Sequence, residues 1–203
     1  RDVLATATGW EALDQLDSYD LVVFHDPDDP GREAFLAALD KLDAAGKSAI
    51  FVEGAFSSDG GVLLLRKYLG NPTGRDFESS AGDPLLHATD PDHPLFAGVP
   101  QPTQILVADR WAGYFTGYTG FVLADLGFSE TGIVGIGAGY EPRTFTSVRL
   151  LLSGLSASIL ASPSDGWTED GKRVFLNAVQ WAASPGLGGL QARVVDATGQ
   201  PVP

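Results

Sequence analysis

The sequence predicts an α/β fold built on a parallel sheet, and three observations carry the prediction. Tyr19-Asp20-Leu21-Val22-Val23-Phe24 and Ala49-Ile50-Phe51-Val52 are apolar, β-branched runs that do not alternate with polar residues, as expected of strands buried on both faces. Each run is followed by a polar loop and then a stretch with apolar residues at helical spacing. The connecting loops are short, so strand, helix, strand and helix follow one another as in right-handed parallel crossovers.

In chain order, Asp2 to Ala7 is a short apolar stretch, and Gly9 to Asp17 carries Trp10, Leu13 and Leu16 at helical spacing. After the first strand comes the loop His25 to Gly31, where Asp29 before Pro30 predicts a helix N-cap with proline at the first helical position. That helix keeps Phe35, Leu36, Leu39 and Leu42 on one face and stops at Gly46, a residue suited to the left-handed position after a helix. The second strand runs into the loop 53–61, which opens a helix from Val62 to Leu69 closed by Gly70 and Pro72.

From Thr73 to Gly139 the pattern loosens into Gly-, Pro- and Asp-rich sequence, with strand candidates at Gln104 to Ala108, Gly120 to Leu123 and Ile133 to Ile136. Arg143 to Leu152 reads as a strand. Thr168 to Ala183 reads as a helix capped by Thr168, with Glu169 and Asp170 in its first turn and a stripe of Val174, Phe175, Ala178, Trp181 and Ala182, the acidic pair matching the positive end of the helix dipole. Ser184 to Gly189 reads as a linker, and Leu190 to Asp196 as a first strand with a turn after it.

Composition removes several chemistries. The 203 residues include no Cys, which excludes a thiolate nucleophile, a disulfide and any Cys-ligated metal. Acidic residues number 26 against 13 basic, a net charge of −13, which repels a phosphate backbone and argues against nucleic-acid binding. The longest apolar runs fall far short of the ~20 residues of a membrane span. The chain begins at Arg1 and contains no Met, from which we expect it to be a piece of a longer protein.

The segments "YDLVVFHDP", "LDAAGKSAIFVEGAFSSDGG", "LRKYLGNP", "DPDHPLFAGVP" and "GWTEDGKRVFLNAVQWAA", in this order, resemble the class I glutamine amidotransferase-like superfamily. Within it they resemble the ThuA-like domains built into large secreted bacterial proteins, often beside a subtilisin-type protease. The resemblance covers residues 1–185 and implies a flavodoxin-like three-layer αβα sandwich with a mostly parallel sheet. The tail "LQARVVDATGQPVP" resembles the opening of a carboxypeptidase-regulatory-like β-sandwich, so residues 186–203 are expected to be a linker and the first strand of a following domain. Together they imply an extracellular, peptidase-associated accessory domain whose partners are neighbouring domains of its own chain, with carbohydrate or peptide as further candidates and no cofactor. A first strand-helix unit usual in the superfamily is expected upstream of Arg1.

In that superfamily the nucleophile sits on the tight turn between a strand and its helix, here Val52 to Gly61. Such an elbow exposes a side chain beside backbone N–H groups that suit an oxyanion. The positions nearest it are Glu53, Gly54 and Ala55, none of them a nucleophile, so the family's amidotransferase activity is not expected.

The alternatives are narrower. Ser57 or Ser58 with His87 or His93, and a carboxylate such as Asp90, Asp92 or Glu53, would make a hydrolase set if their loops met at the carboxyl ends of the strands. The plainer account is that Ser57, Ser58 and Asp59 cap the helix that follows. His87, Asp90, Asp92 and His93 would suit a divalent cation by chemistry. They lack helical i, i+4 spacing, and the plainer account is a proline-stiffened loop whose Asp side chains bond their own backbone. The loop His25 to Gly31 has three Asp but not the regular oxygen spacing of an EF-hand.

Gly135-Ile136-Gly137-Ala138-Gly139 lacks the G-x-G-x-x-G spacing of a dinucleotide site and is expected to be a flexible strand edge or hairpin. Trp111, Tyr114, Phe115 and Tyr118 form an aromatic cluster on an expected Gly-rich loop. Trp111, Tyr114 and Tyr118 are candidates for stacking on a sugar or docking a neighbour, against the plainer account of core filling. Trp167 and Trp181 are expected in the core or at a cap.

Overall fold

The structure is a computed structural model that describes residues 19–24, 32–52, 75–79, 85–107, 112–116, 121–127, 134–140, 148–152 and 166–183. Its elements in order are β1 (Leu21–Phe24), α1 (Arg32–Ala45), β2 (Ser48–Val52), β3 (Arg75–Ser79), β4 (Leu85–Ala88), a 3-10 turn (Pro94–Phe96), β5 (Thr103–Gln104), β6 (Ala112–Thr116), β7 (Phe121–Asp125), β8 (Val134–Tyr140), β9 (Val148–Leu152) and α2 (Glu169–Ala183). The fold is mixed α/β. The predicted helix ending at Gly46 is present from Arg32, its expected cap at Asp29 and Pro30 lying outside the described residues, and the helix Thr168 to Ala183 and both apolar strands are present. The helix predicted at Val62 to Leu69, the loops 25–31 and 53–61, and the tail 186–203 lie outside the described residues.

β1 pairs with β2 and β2 with β9 in parallel, through Val23 to Ile50 and Ile50 to Leu150. The other pairings among the described strands are antiparallel, in the order β1-β2-β9-β8-β7-β4-β5, with β6 joining β3 to β8. The parallel part is therefore small and confined to β1, β2 and β9. The antiparallel part is built from the segment that the sequence leaves loosest.

In β2, Ala49 and Ile50 are 1% and 0% exposed. Adjacent strand residues face opposite sides, so this strand is covered on both, which explains its unbroken apolar run.

The Gly-rich run 135–139 is not a strand edge or hairpin, as the sequence suggests, but the middle of β8. It pairs with β7 through Val122 to Gly137 and with β9 through Gly137 to Leu151. Glycine is a weak strand former on its own; partners on both sides supply what local preference lacks. β7 accommodates the pairing with register shifts between Val122 and Ala124 and between Ala124 and Asp125, irregularities that locally raise the twist of a strand.

α1 ends in a Schellman motif. Gly46 has φ +63°, its N–H donates to Asp43 O at 3.1 Å, and Lys47 N–H donates to Leu42 O at 3.2 Å. A residue with a Cβ resists this left-handed conformation. α2 buries Val174, Ala178, Trp181 and Ala182, the stripe predicted from the sequence, in a cluster with Ile50, Leu150 and Leu152 of the parallel strands and with Leu95, Phe96, Ile105 and Leu106.

The start of α2 is fastened to the chain after β5. Leu106 bridges Trp167, Val107 N–H donates to Gly166 O at 2.9 Å, and Thr168 N–H donates to Ile105 O at 3.1 Å. Thr168 is the N-cap the sequence predicts: its Oγ1 accepts from Gly171 N–H at 3.0 Å and donates to Gln104 O. Thr103 Oγ1 donates to Asp170 Oδ2 at 2.9 Å across the same seam. The strand expected over Gln104 to Ala108 is thus two residues of ladder followed by this bridge.

Candidate functional site

The polar segment from His87 to Pro94 is where the sequence concentrates its candidate chemistry, and it runs from β4 to the 3-10 turn. It is not one loop. His87 belongs to β4 and pairs with Asp125 of β7, and its exposed imidazole lies over Gly127, where a Cβ would come within 2.5 Å of Nε2. Gly127 has φ +62°, and its N–H donates to Asp125 Oδ1 at 2.9 Å.

Beyond β4 the chain turns on its own polar groups. Thr89 N–H donates to Leu123 O at 2.9 Å, Asp90 Oδ1 accepts from Asp92 N–H at 3.0 Å, and Asp90 O accepts from His93 N–H at 3.1 Å. An Asp side chain closing on the backbone two residues ahead is an Asx turn, and Pro91 and Pro94 restrict the residues before them to extended conformations. This is the arrangement that the plainer account of the segment expects.

His93 is the N-cap of the 3-10 turn. Its backbone is extended, and its Nδ1 accepts from Leu95 N–H at 3.2 Å. The ring packs edge-on against Trp181 of α2 at 5.0 Å between centroids and tilted against Phe96 at 6.3 Å. Burial holds the imidazole below its usual pKa, and the negative charge of Asp90 opposes that shift without overcoming it. With Nδ1 accepting, the neutral ring carries its proton on Nε2.

The 3-10 turn is held to α2 by Asn177, whose Nδ2 donates to Leu95 O at 2.9 Å and to Ala97 O at 3.1 Å. Leu95 and Phe96 are fully or almost fully buried. Sequence reasoning did not single out Asn177. The only signal was a polar residue three positions after Val174 and one before Ala178, within an otherwise apolar stripe.

The structure brings Asp90 and His93 together through backbone bonds and charge, while His87 is held by a different element against a different neighbour. Among the described residues, no group of three or more His, Asp or Glu side chains is arranged to hold a metal ion. Ser57, Ser58 and Glu53 lie outside the described residues, as do Trp111 and Tyr118. Tyr114 and Phe115 are not on a loop. They are in β6, where Tyr114 pairs with Phe77 and Phe115 with Asp76 of β3 and Val134 of β8.

Trp167 and Trp181 are 4% and 7% exposed, core residues as the sequence predicts. Trp167 packs tilted against Phe175 at 5.0 Å between centroids, and among the described residues its Nε1 has no hydrogen-bond partner. No helix among the described residues is long and apolar enough to cross a membrane. No protein-family model matches the chain, and no curated protein matches it.

Proposed function

We propose that this chain is a non-catalytic accessory domain, for binding or spacing, of a larger secreted bacterial protein such as an extracellular protease or other hydrolase. The observation that supports the reading, against a base at His93 though not at the exposed His87, is the engagement of His93. A general base needs a free ring nitrogen facing its substrate or nucleophile, and His93 uses Nδ1 to cap the 3-10 turn while its ring fills the seam against Trp181. The absence of Cys from the sequence removes the nucleophile of the superfamily that the chain resembles.

The full fold under this reading is a flavodoxin-like three-layer sandwich of the ThuA-like kind, spanning residues 1–185, with 186–203 leading into a following β-sandwich. The burial of β2 on both faces and the parallel β1-β2-β9 set support it. The antiparallel strands are then an extension on one flank of the parallel ones. Trp111, Tyr114 and Tyr118 remain the residues for a carbohydrate or peptide contact.

The test is turnover of a panel of fluorogenic ester, amide and glycoside substrates by the 203-residue chain. We expect no rate above the uncatalysed background. Turnover abolished by Ser57→Ala or Ser58→Ala, with melting temperature unchanged, would overturn the reading in favour of a Ser–His hydrolase.

A further inference from the structure

We propose that His93 is an acid-released latch between the 3-10 turn and α2. In the neutral ring, Nδ1 accepts the Leu95 N–H. In the doubly protonated ring both nitrogens carry hydrogen and neither can accept. Protonation therefore turns the cap of the turn into two like dipoles facing each other, N–H against N–H, and places a charge in the aromatic seam formed with Trp181 and Phe96.

Among the described residues, little is placed to hold that charge. In the segment 89–101 the charged residues are Asp90 and Asp92. Asp90 favours the protonated ring but is outweighed by burial, and the Asp90 Oδ1 already accepts from the Asp92 backbone. On α2 the charged residues are Glu169, Asp170, Lys172 and Arg173, all in its first two turns. Arg173 comes nearest the turn, its Nη1 beside Gly98, and as a cation it cannot hold a protonated ring; the charge that acts on His93 is that of Asp90.

The consequence follows the sign of the shift. A histidine held below its ordinary value near ~6.5 favours the folded state fully above that value, and the contribution is lost as pH falls through it toward the lower folded value. What loosens is the contact of 93–97 with α2 that runs through the His93 ring and Trp181, beside the two bonds from Asn177. The latch does not depend on whether the domain is catalytic, since it acts on the packing of α2 alone.

The experiment is a pH titration of the 203-residue chain by NMR, following the His93 ring Cε1–H shift and, in parallel, the exchange protection of the Leu95 amide corrected for its intrinsic rate. His93→Asn is the control, because Asn caps through its side-chain oxygen and does not titrate in this range. We expect a His93 midpoint below ~6.5, a loss of Leu95 protection with that same midpoint, and flat protection in H93N. A midpoint at or above the ordinary value, Leu95 protection unchanged through the ring titration, or the same loss in H93N would each overturn the proposal. If H93N does not fold, agreement or disagreement of the two wild-type midpoints still decides.

Discussion

Gly171 gives the sharpest quantitative test of how α2 is seated. By helix propensity alone, replacing a glycine in the first turn of a 15-residue helix with alanine stabilises by up to ~1 kcal/mol. The structure argues the opposite. A Cβ at Gly171 would lie 2.2 Å from Ile105 O and 3.1 Å from Ile105 C, and the obstacle is backbone, which cannot swing aside as a side chain would. Relief requires moving the start of α2 away from the 103–107 segment. That strains the bonds from Thr168 N–H to Ile105 O and from Thr103 Oγ1 to Asp170 Oδ2. Overpacking costs about 1–3 kcal/mol, and each weakened hydrogen bond adds about 0.5–1.5 kcal/mol. Against a gain of ~1 kcal/mol, the net loss for Gly171→Ala is about 2 kcal/mol. At about 2–4 °C per kcal/mol for a chain of this size, the melting temperature falls by about 4–8 °C. Urea and thermal unfolding followed by far-UV circular dichroism measure it, with the m-value checking that the transition stays two-state. A variant as stable as the parent, or more so, would refute the close seating of α2 on Ile105.

Three further outcomes are expected. Thr168→Ala removes the cap of α2 together with the bond to Gln104 O, and it should cost about 1–2 kcal/mol in urea unfolding; Thr168→Ser, which keeps the hydroxyl, should recover most of this. Trp167→Phe gives up an indole N–H that has no partner among the described residues and should be nearly neutral, whereas Trp167→Ala opens a cavity beside Phe175 and should cost about 3–5 kcal/mol. A metal chelator, or added zinc or calcium, should leave the melting curve unchanged, because a site that bound only the folded chain would raise its melting temperature with ligand concentration.

The parts of the fold legible in the sequence are those whose local pattern and tertiary setting agree. α2 is one: cap, acidic first turn and apolar stripe all mark the same helix, and Val174, Ala178, Trp181 and Ala182 are the residues it buries. β2 is another, since an unbroken apolar run reports burial on both faces. β3 and β6 were not legible as strands. Arg75 to Ser79 has one large apolar residue, and Ala112 to Thr116 reads as an aromatic loop because Gly113 interrupts it; their ladder joins residues 33 to 41 apart in the chain, which no local pattern reports. β8 was missed beyond Ile136 because Gly137 and Gly139 are weak strand formers, and its pairing with β7 and β9 supplies what the local pattern lacks. At the candidate site, the Asx turn at Asp90 follows from its residue types, but the role of His93 does not. A histidine two residues before a leucine carries no sign that its Nδ1 will cap a turn, and its partner Trp181 is 88 positions away, brought near only by the packing of α2.

The claim that this domain keeps its fold without hydrolytic chemistry is tested most directly by exposing the 203-residue chain to a fluorophosphonate probe, which labels only activated serines, and mapping any adduct by peptide mass spectrometry. The account predicts no adduct above that of the heat-denatured chain. Stoichiometric labelling at Ser57 or Ser58, lost when His87 or His93 is replaced in a variant that still folds, would contradict it.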